Sequence, residues 1–98
     1  GEHDELFSLS LDAERINWIA GAPPKNEFAC TAKFRYRQPD QGVFVSVNGE
    51  GIHAAFGKPQ RAVTPGQWVV LYDGDVCLGG GPIDVVEPKK PLLFLKEK

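Results

Sequence analysis

An all-β fold, a small closed or nearly closed antiparallel barrel of about six strands, is what this sequence predicts, and three observations carry the prediction. From Glu27 onward, short alternating apolar runs are separated by Gly, Pro, Asn and Asp clusters at a spacing of about ten residues, as small sandwiches and barrels require. Helical periodicity is nearly missing. Asn48-Gly49 and Asp73-Gly74 each stand between two apolar runs and supply the positive φ angles that tight hairpins demand.

Taken in order, Leu9 and Leu11 alternate against Ser8 and Ser10, a polar turn occupies Asp12 to Arg15, and Ile16, Trp18 and Ile19 follow, so a short strand and a turn are expected. Gly21-Ala22-Pro23-Pro24-Lys25 is too rich in breakers for either element and reads as an ordered loop. Residues 1–25 are therefore expected to be a lead-in from a preceding domain junction, and residues 26–86 the barrel. The clearest strand runs from Phe28 to Arg37, with Phe28, Cys30, Ala32, Phe34 and Tyr36 on a core face and Thr31, Lys33, Arg35 and Arg37 on the other. Further strands are predicted at Val43 to Val47, Ile52 to Phe56, Trp68 to Tyr72 and around Val76 to Leu78. The triplet Gly79-Gly80-Gly81 is expected to interrupt the last strand before Pro82 to Val86, through a bulge or a close backbone approach that closes the barrel. Residues 87–98, with prolines, lysines and the apolar patch Leu92 to Leu95, read as a tail outside the barrel and a candidate for disorder. No internal repeat is visible.

Ninety-eight residues, 42% of them hydrophobic, suit one domain with one core. Methionine is absent even at position 1, so the chain is expected to be processed or part of something longer. No run approaches the roughly 18 to 20 apolar residues of a membrane span, and no signal segment leads the chain, so no membrane partner and a cytoplasmic location are expected. The net charge of −2 means that any nucleic-acid contact must be a local patch. Cys30 and Cys77 form neither a CxxC pair nor a Cys/His cluster, and His3 and His53 have no partner at ligand spacing, so no metal is expected.

Lys33, Arg35 and Arg37 place three cations on one strand face roughly 7 Å apart, a spacing that suits a phosphate backbone but equally a solvated face that guards against edge-to-edge association. Tyr36 reads as core unless its ring turns out at the strand end to stack or hydrogen-bond. The stiff polar loop Pro59 to Gln67 suits recognition, with Gln67 as its candidate, or is a plain type II turn at Pro65-Gly66. Both cysteines look like small buried hydrophobes rather than activated thiolates. No GxxxxGK[ST] loop is present, so neither ATP nor any other cofactor is expected on this chain.

The strings Phe34-Arg35-Tyr36-Arg37-Gln38-Pro39-Asp40, Ala62-Val63-Thr64-Pro65-Gly66-Gln67 and Tyr72-Asp73-Gly74-Asp75-Val76-Cys77-Leu78-Gly79-Gly80-Gly81 closely resemble the C-terminal region of bacterial tRNA-specific 2-thiouridylases. Asn17-Trp18-Ile19 and the loop after it look like that family's lead-in. The resemblance implies a barrel similar to the second domain of translational elongation factors. It further implies a parent enzyme that binds ATP and thiolates the wobble uridine of tRNA through N-terminal domains, with the catalytic cysteines upstream. Arg35, Tyr36 and Gln67 inherit the family's tRNA contacts, with Lys33 and Arg37 as neighbours close to the tRNA. Gly57-Lys58 departs from an acidic pair common in the family, and the added lysine favours RNA. The implied partners are tRNA, the N-terminal domains of the same parent chain and a sulfur-carrier protein. Two rival functions stay open: a docking barrel for that carrier, and a free-standing sulfurtransferase using Cys77.

Overall fold

The computed structural model describes residues 6–34, 40–60 and 63–91, and among the described residues seven strands and no helix follow one another. They are β1 (Leu6–Ala13), β2 (Asn17–Trp18), β3 (Glu27–Lys33), β4 (Gln41–Asn48), β5 (Gly51–Gln60), β6 (Trp68–Asp73) and β7 (Val76–Pro91). All pairings are antiparallel, and the order β1-β5-β4-β3-β6-β7 closes on itself through β1–β7, leaving β2 as a seventh strand on the flank of β7. Closure leaves the ring without a free edge, and its interior must then be filled by side chains.

The alternation read from the sequence fills it. Ala32 and Phe34, Val43 and Val45, Ile52 and Ala54, and Val69 and Leu71 are all buried, each pair two residues apart on its own segment. Leu11, Ala13, Val63 and Ile83 complete the core. Phe28 and Cys30 share the inner face of β3 but are only half-buried, and Trp18 covers Phe28 edge-on at 6.2 Å between ring centres.

Both hairpins form, with a shift from the expected turn. Asn48 pairs with Gly51 and Asp73 with Val76, so the two-residue loops are Gly49-Glu50 and Gly74-Asp75. Gly49 and Gly74 carry positive φ values of 64° and 61°, whereas Asn48 and Asp73 keep strand geometry. Glycine at the first loop position is the pattern of a type II′ turn, whose twist matches that of the flanking strands.

The strand boundaries differ from the expected ones at four places. The segment before residue 26 is more than a lead-in: β1 hydrogen-bonds to β5 on one side and β7 on the other, so the ring closes only through it. β7 runs on through the glycine triplet, pairing Gly79, Gly80 and Gly81 with Leu71, Val70 and Val69, and the expected bulge falls directly before it, where the register shifts between Leu71↔Gly79 and Tyr72↔Cys77. Residues 87–91, placed in the tail, extend β7 against β1 up to the pair Leu6↔Pro91, while residues 92–98 lie outside the described residues. The expected strand through Arg37 is assigned to Lys33, with Phe34 at a bend and Arg35, Tyr36 and Arg37 outside the described residues.

The triplet's other expectation holds: backbones approach closely there. A Cβ on Gly79 would collide with the Asn17 carbonyl oxygen; one on Gly80 would lie 2.7 Å from Val69 O, and one on Gly81 2.8 Å from Glu14 O. Only glycine lets β7 pass between β6 on one side and β2 with the Glu14–Ile16 turn on the other.

Candidate nucleic-acid interface

Lys33 and Gln67, two of the five residues singled out for tRNA, fall within the described residues, and the strand register relates them. β3 and β6 pair as Thr31↔Tyr72, Ala32↔Leu71 and Lys33↔Val70. The chain leaving β3 after Lys33 therefore runs toward the end of β6 at which Trp68 and, just before it, Gln67 enter. The β3–β4 connection, whose sequence holds Arg35, Tyr36 and Arg37, is thus anchored at the same end of the β3–β6 pair as the Thr64–Gln67 turn.

Its anchors are well defined. Before it, Phe34 is buried and packs edge-on against Phe56 of β5 at 5.3 Å between ring centres. After it, Asp40 accepts a bond from Thr31 Oγ1 at 3.4 Å and stands 3.6 Å from Lys33 Nζ. Gln41 follows, its Oε1 accepting from Nε2 of the buried Gln60 at 3.0 Å, and the same Nε2 donates to Lys58 O at 2.9 Å. Gln60 pairs with Ser8 while Ala55 pairs with Ser10, so β5 bows outward between them and leaves Gly57, Lys58 and Pro59 exposed beside the connection.

Lys33 lies on the outer face as expected, with its Nζ 5.8 Å from the centre of the Tyr72 ring. The side chains of Lys33 and Asp40 are 42% and 39% exposed, so their attraction is screened and worth at most about 1 kcal/mol. A phosphate could draw Lys33 away from Asp40 at small cost.

The Gln67 loop contains the expected type II turn. Gly66 has φ 94°, Gln67 N donates to Thr64 O at 3.3 Å, and Pro65 occupies the position a type II turn favours. Gln67 also works within the fold: its Oε1 accepts from Thr64 N at 3.2 Å, and its main-chain oxygen accepts from Ile83 N at 2.7 Å. The turn and the candidate contact residue are one device that holds the Gln67 amide at the rim.

Trp68, next in the chain, was read only as the start of a strand, yet it is 57% exposed. The signal was available, since Val69 and Leu71 point inward and period two puts Trp68, Val70 and Tyr72 outward together.

Other chemistry-bearing groups lie away from this rim. Burial, and secondarily the charge of Asp73, pushes the Cys30 thiol up from 9.0 to about 11, the reverse of an activated thiolate. Cys77, expected to be buried, is only half-buried, because the pairing Tyr72↔Cys77 sets it on the outer face near Ile19, Pro24 and Leu78. Asp12, Glu14 and Glu50 line an open hollow of about 290 Å³ at the opposite end of β4 and β5, where their charge disfavours phosphate. Glu14's carboxyl is raised above 4.5, first by a hydrogen bond to Asp84 and then by that residue's charge, with Arg15 opposing. His53 Nδ1 and Asp12 Oδ1 meet at 2.6 Å across β1 and β5. Among the described residues no group of three or more His, Cys, Asp or Glu side chains is gathered for a metal, and no helix is long and apolar enough to cross a membrane.

Comparison with known proteins places this geometry. The family model of the aminomethyltransferase β-barrel domain matches residues 8–83, which run from β1 into β7. The tRNA-specific 2-thiouridylase MnmA of Hahella chejuensis is 56% identical over 86 residues, covering 88% of this chain and 24% of the relative. That of Halalkalibacterium halodurans is 56% identical over 89 residues, 90% of this chain and 24% of the relative. That of Streptococcus sanguinis is 57% identical over 82 residues, 84% of this chain and 22% of the relative. The chain thus spans about a quarter of the length of the curated relatives it matches. It belongs to the aminomethyltransferase β-barrel domain family, the C-terminal barrel of the tRNA-specific 2-thiouridylases.

Proposed function

We propose that this barrel holds tRNA for a tRNA-specific 2-thiouridylase, presenting the wobble uridine to ATP-dependent sulfur insertion carried out by other domains of its parent chain. One observation carries the reading. The connection whose sequence contains Arg35 and Tyr36 and the turn that holds Gln67 are anchored at one end of the neighbouring strands β3 and β6, with Lys33 on the outer face between them. Arg35, with Lys33 and Arg37 nearby, would meet phosphate; Tyr36 would stack or donate; and Gln67 would hydrogen-bond a base or sugar.

ATP belongs to the parent enzyme in this reading. The glycine triplet does not fit it, since its backbone is paired with β6 and β2 and the space a phosphate would need is taken by the Asn17, Val69 and Glu14 carbonyls. A cytoplasmic location accompanies the reading, as does contact with the N-terminal domains of the parent.

The test is tRNA binding by the full-length parent enzyme across a range of salt. Arg35→Ala is expected to weaken binding by roughly 1 to 3 kcal/mol and to flatten the salt dependence, because a cation that released counterions is gone. Gln67→Ala is expected to lower affinity by roughly 0.5 to 1.5 kcal/mol with the salt slope unchanged. If both variants bind tRNA like the parent but lose affinity for a sulfur-carrier protein, this end of the barrel is a protein dock and the proposal fails.

A further inference from the structure

We infer that Trp68 is a stacking platform for an unpaired nucleobase, which rests on the tRNA reading above and adds to it a contact that neither charge nor hydrogen bonding supplies. Four large hydrophobic side chains are exposed among the described residues, and Trp68, 57% exposed, is the one that directly follows Gln67. Its position is fixed from behind. Val69 and Leu71, the inward residues of the same strand, are fully buried, and Ile83 N donates to Gln67 O at 2.7 Å, so the backbone carrying the indole is held on both sides of it.

The surroundings suit a flat ligand. Trp68 pairs across the sheet with Pro82, and Val70 pairs with Gly80, which carries no side chain. Directly opposite the indole β7 offers only the compact Pro82 ring, and the next position on that face, Gly80, is bare. On the other side of β6, Lys33 pairs with Val70, and its long side chain, which rests 3.6 Å from Asp40 and 5.8 Å from the Tyr72 ring centre, would swing from that exposed pair to meet the phosphate of a nucleotide whose base lies on Trp68. A rigid indole loses little conformational entropy on contact, and a base, unlike an aliphatic partner, offers a π-face to it. An aromatic exposed to water beside the Gln67 turn, with a compact neighbour on one strand and a cation on the other, has the composition of a single-stranded nucleic-acid contact.

The experiment uses the full-length parent enzyme and an unmodified tRNA transcript. Trp68→Ala should weaken binding roughly tenfold with no change in salt slope, since an uncharged ring releases no counterions, and Trp68→Phe should stay within roughly twofold. The tryptophan fluorescence quenched on adding tRNA should be smaller in Trp68→Phe than in the parent, a readout that does not depend on whether Trp68→Ala folds. If Trp68→Ala binds like the parent, or Trp68→Phe shows the parent's quenching, while Arg35→Ala and Gln67→Ala still weaken binding, the stacking inference is overturned and the tRNA reading survives. If all three alanine variants bind like the parent, both are overturned.

Discussion

The strand pair β6–β7 is built for two opposite demands. Along the glycine seam, Gly79 to Gly81 leave no room for a single added carbon, because the neighbouring carbonyls of Asn17, Val69 and Glu14 already fill the space. At the rim, a few residues away on β6 and the turn before it, the Gln67 amide and the Trp68 indole stand in partly or largely exposed positions, and a Cβ on Gly66 would meet nothing within 4 Å. The seam is defined by backbone and the rim by side chains. If the rim contacts tRNA as proposed, stability and recognition reside in different residues, and a substitution should disturb one without the other.

The largest effect is expected from forcing a side chain into the seam. Gly80→Ala puts a carbon 2.7 Å from Val69 O, a backbone atom that cannot move without shifting β6. We expect a loss of about 3 kcal/mol in denaturant unfolding of the 98-residue chain, in line with other overpacked sites. Gly66→Ala sharpens the contrast. Its cost is the positive φ of 94° alone, about 1 kcal/mol, because the space around it is open. Equal losses at the two glycines would erase the distinction between seam and rim.

A smaller effect concerns Cys30, on the inner face of β3. Its thiol is raised from 9.0 to about 11, so the folded state holds the proton more tightly than the unfolded one. The stability this contributes is fully present below pH 9 and is lost as pH rises through about 11. Unfolding at successive alkaline pH values should show a decline across that window in the parent and a shallower one in Cys30→Ala. Alkylation of Cys30 in the folded protein should be slow at neutral pH and speed up only toward that alkaline range.

The smallest effect is expected at the exposed pair Glu14 and Asp84. Asp84 raises the carboxyl pKa of Glu14, so the stability linked to that proton is present below 4.5 and lost as pH rises through the higher folded value. Asp84→Asn should therefore raise Tm slightly at neutral pH and leave it unchanged in acid. A gain in Tm at both pH values would show that the effect of Asp84 does not arise from its charge on Glu14.

Much of this division was legible in the sequence. Period-two alternation in β3 identified Ala32 and Phe34 as core, and Asn48-Gly49 and Asp73-Gly74 located both hairpins. The glycine triplet announced a close approach, but the sequence could not say what approached. Asn17, Val69 and Glu14 come from three separate segments, and only the closed ring brings them together. The role of β1 was hidden for the same reason: the alternation of Leu9 and Leu11 reveals a short strand but not its partners, which lie some 40 and 75 positions later. In the candidate site, Lys33 was placed correctly on the outer face, whereas its clasp on Asp40 and the bond from Thr64 to Gln67 depend on side-chain geometry that spacing does not encode.

The central claim is that tRNA lies along the rim and not along the seam. Backbone amide exchange of the full-length parent enzyme, with and without tRNA, tests it most directly. The account predicts slower exchange in the presence of tRNA for peptides covering residues 33–41 and 64–68, and unchanged exchange for the β6–β7 hairpin around Gly74 and for β2. Protection of that hairpin with none at the rim, or no protection anywhere in the barrel, would contradict it.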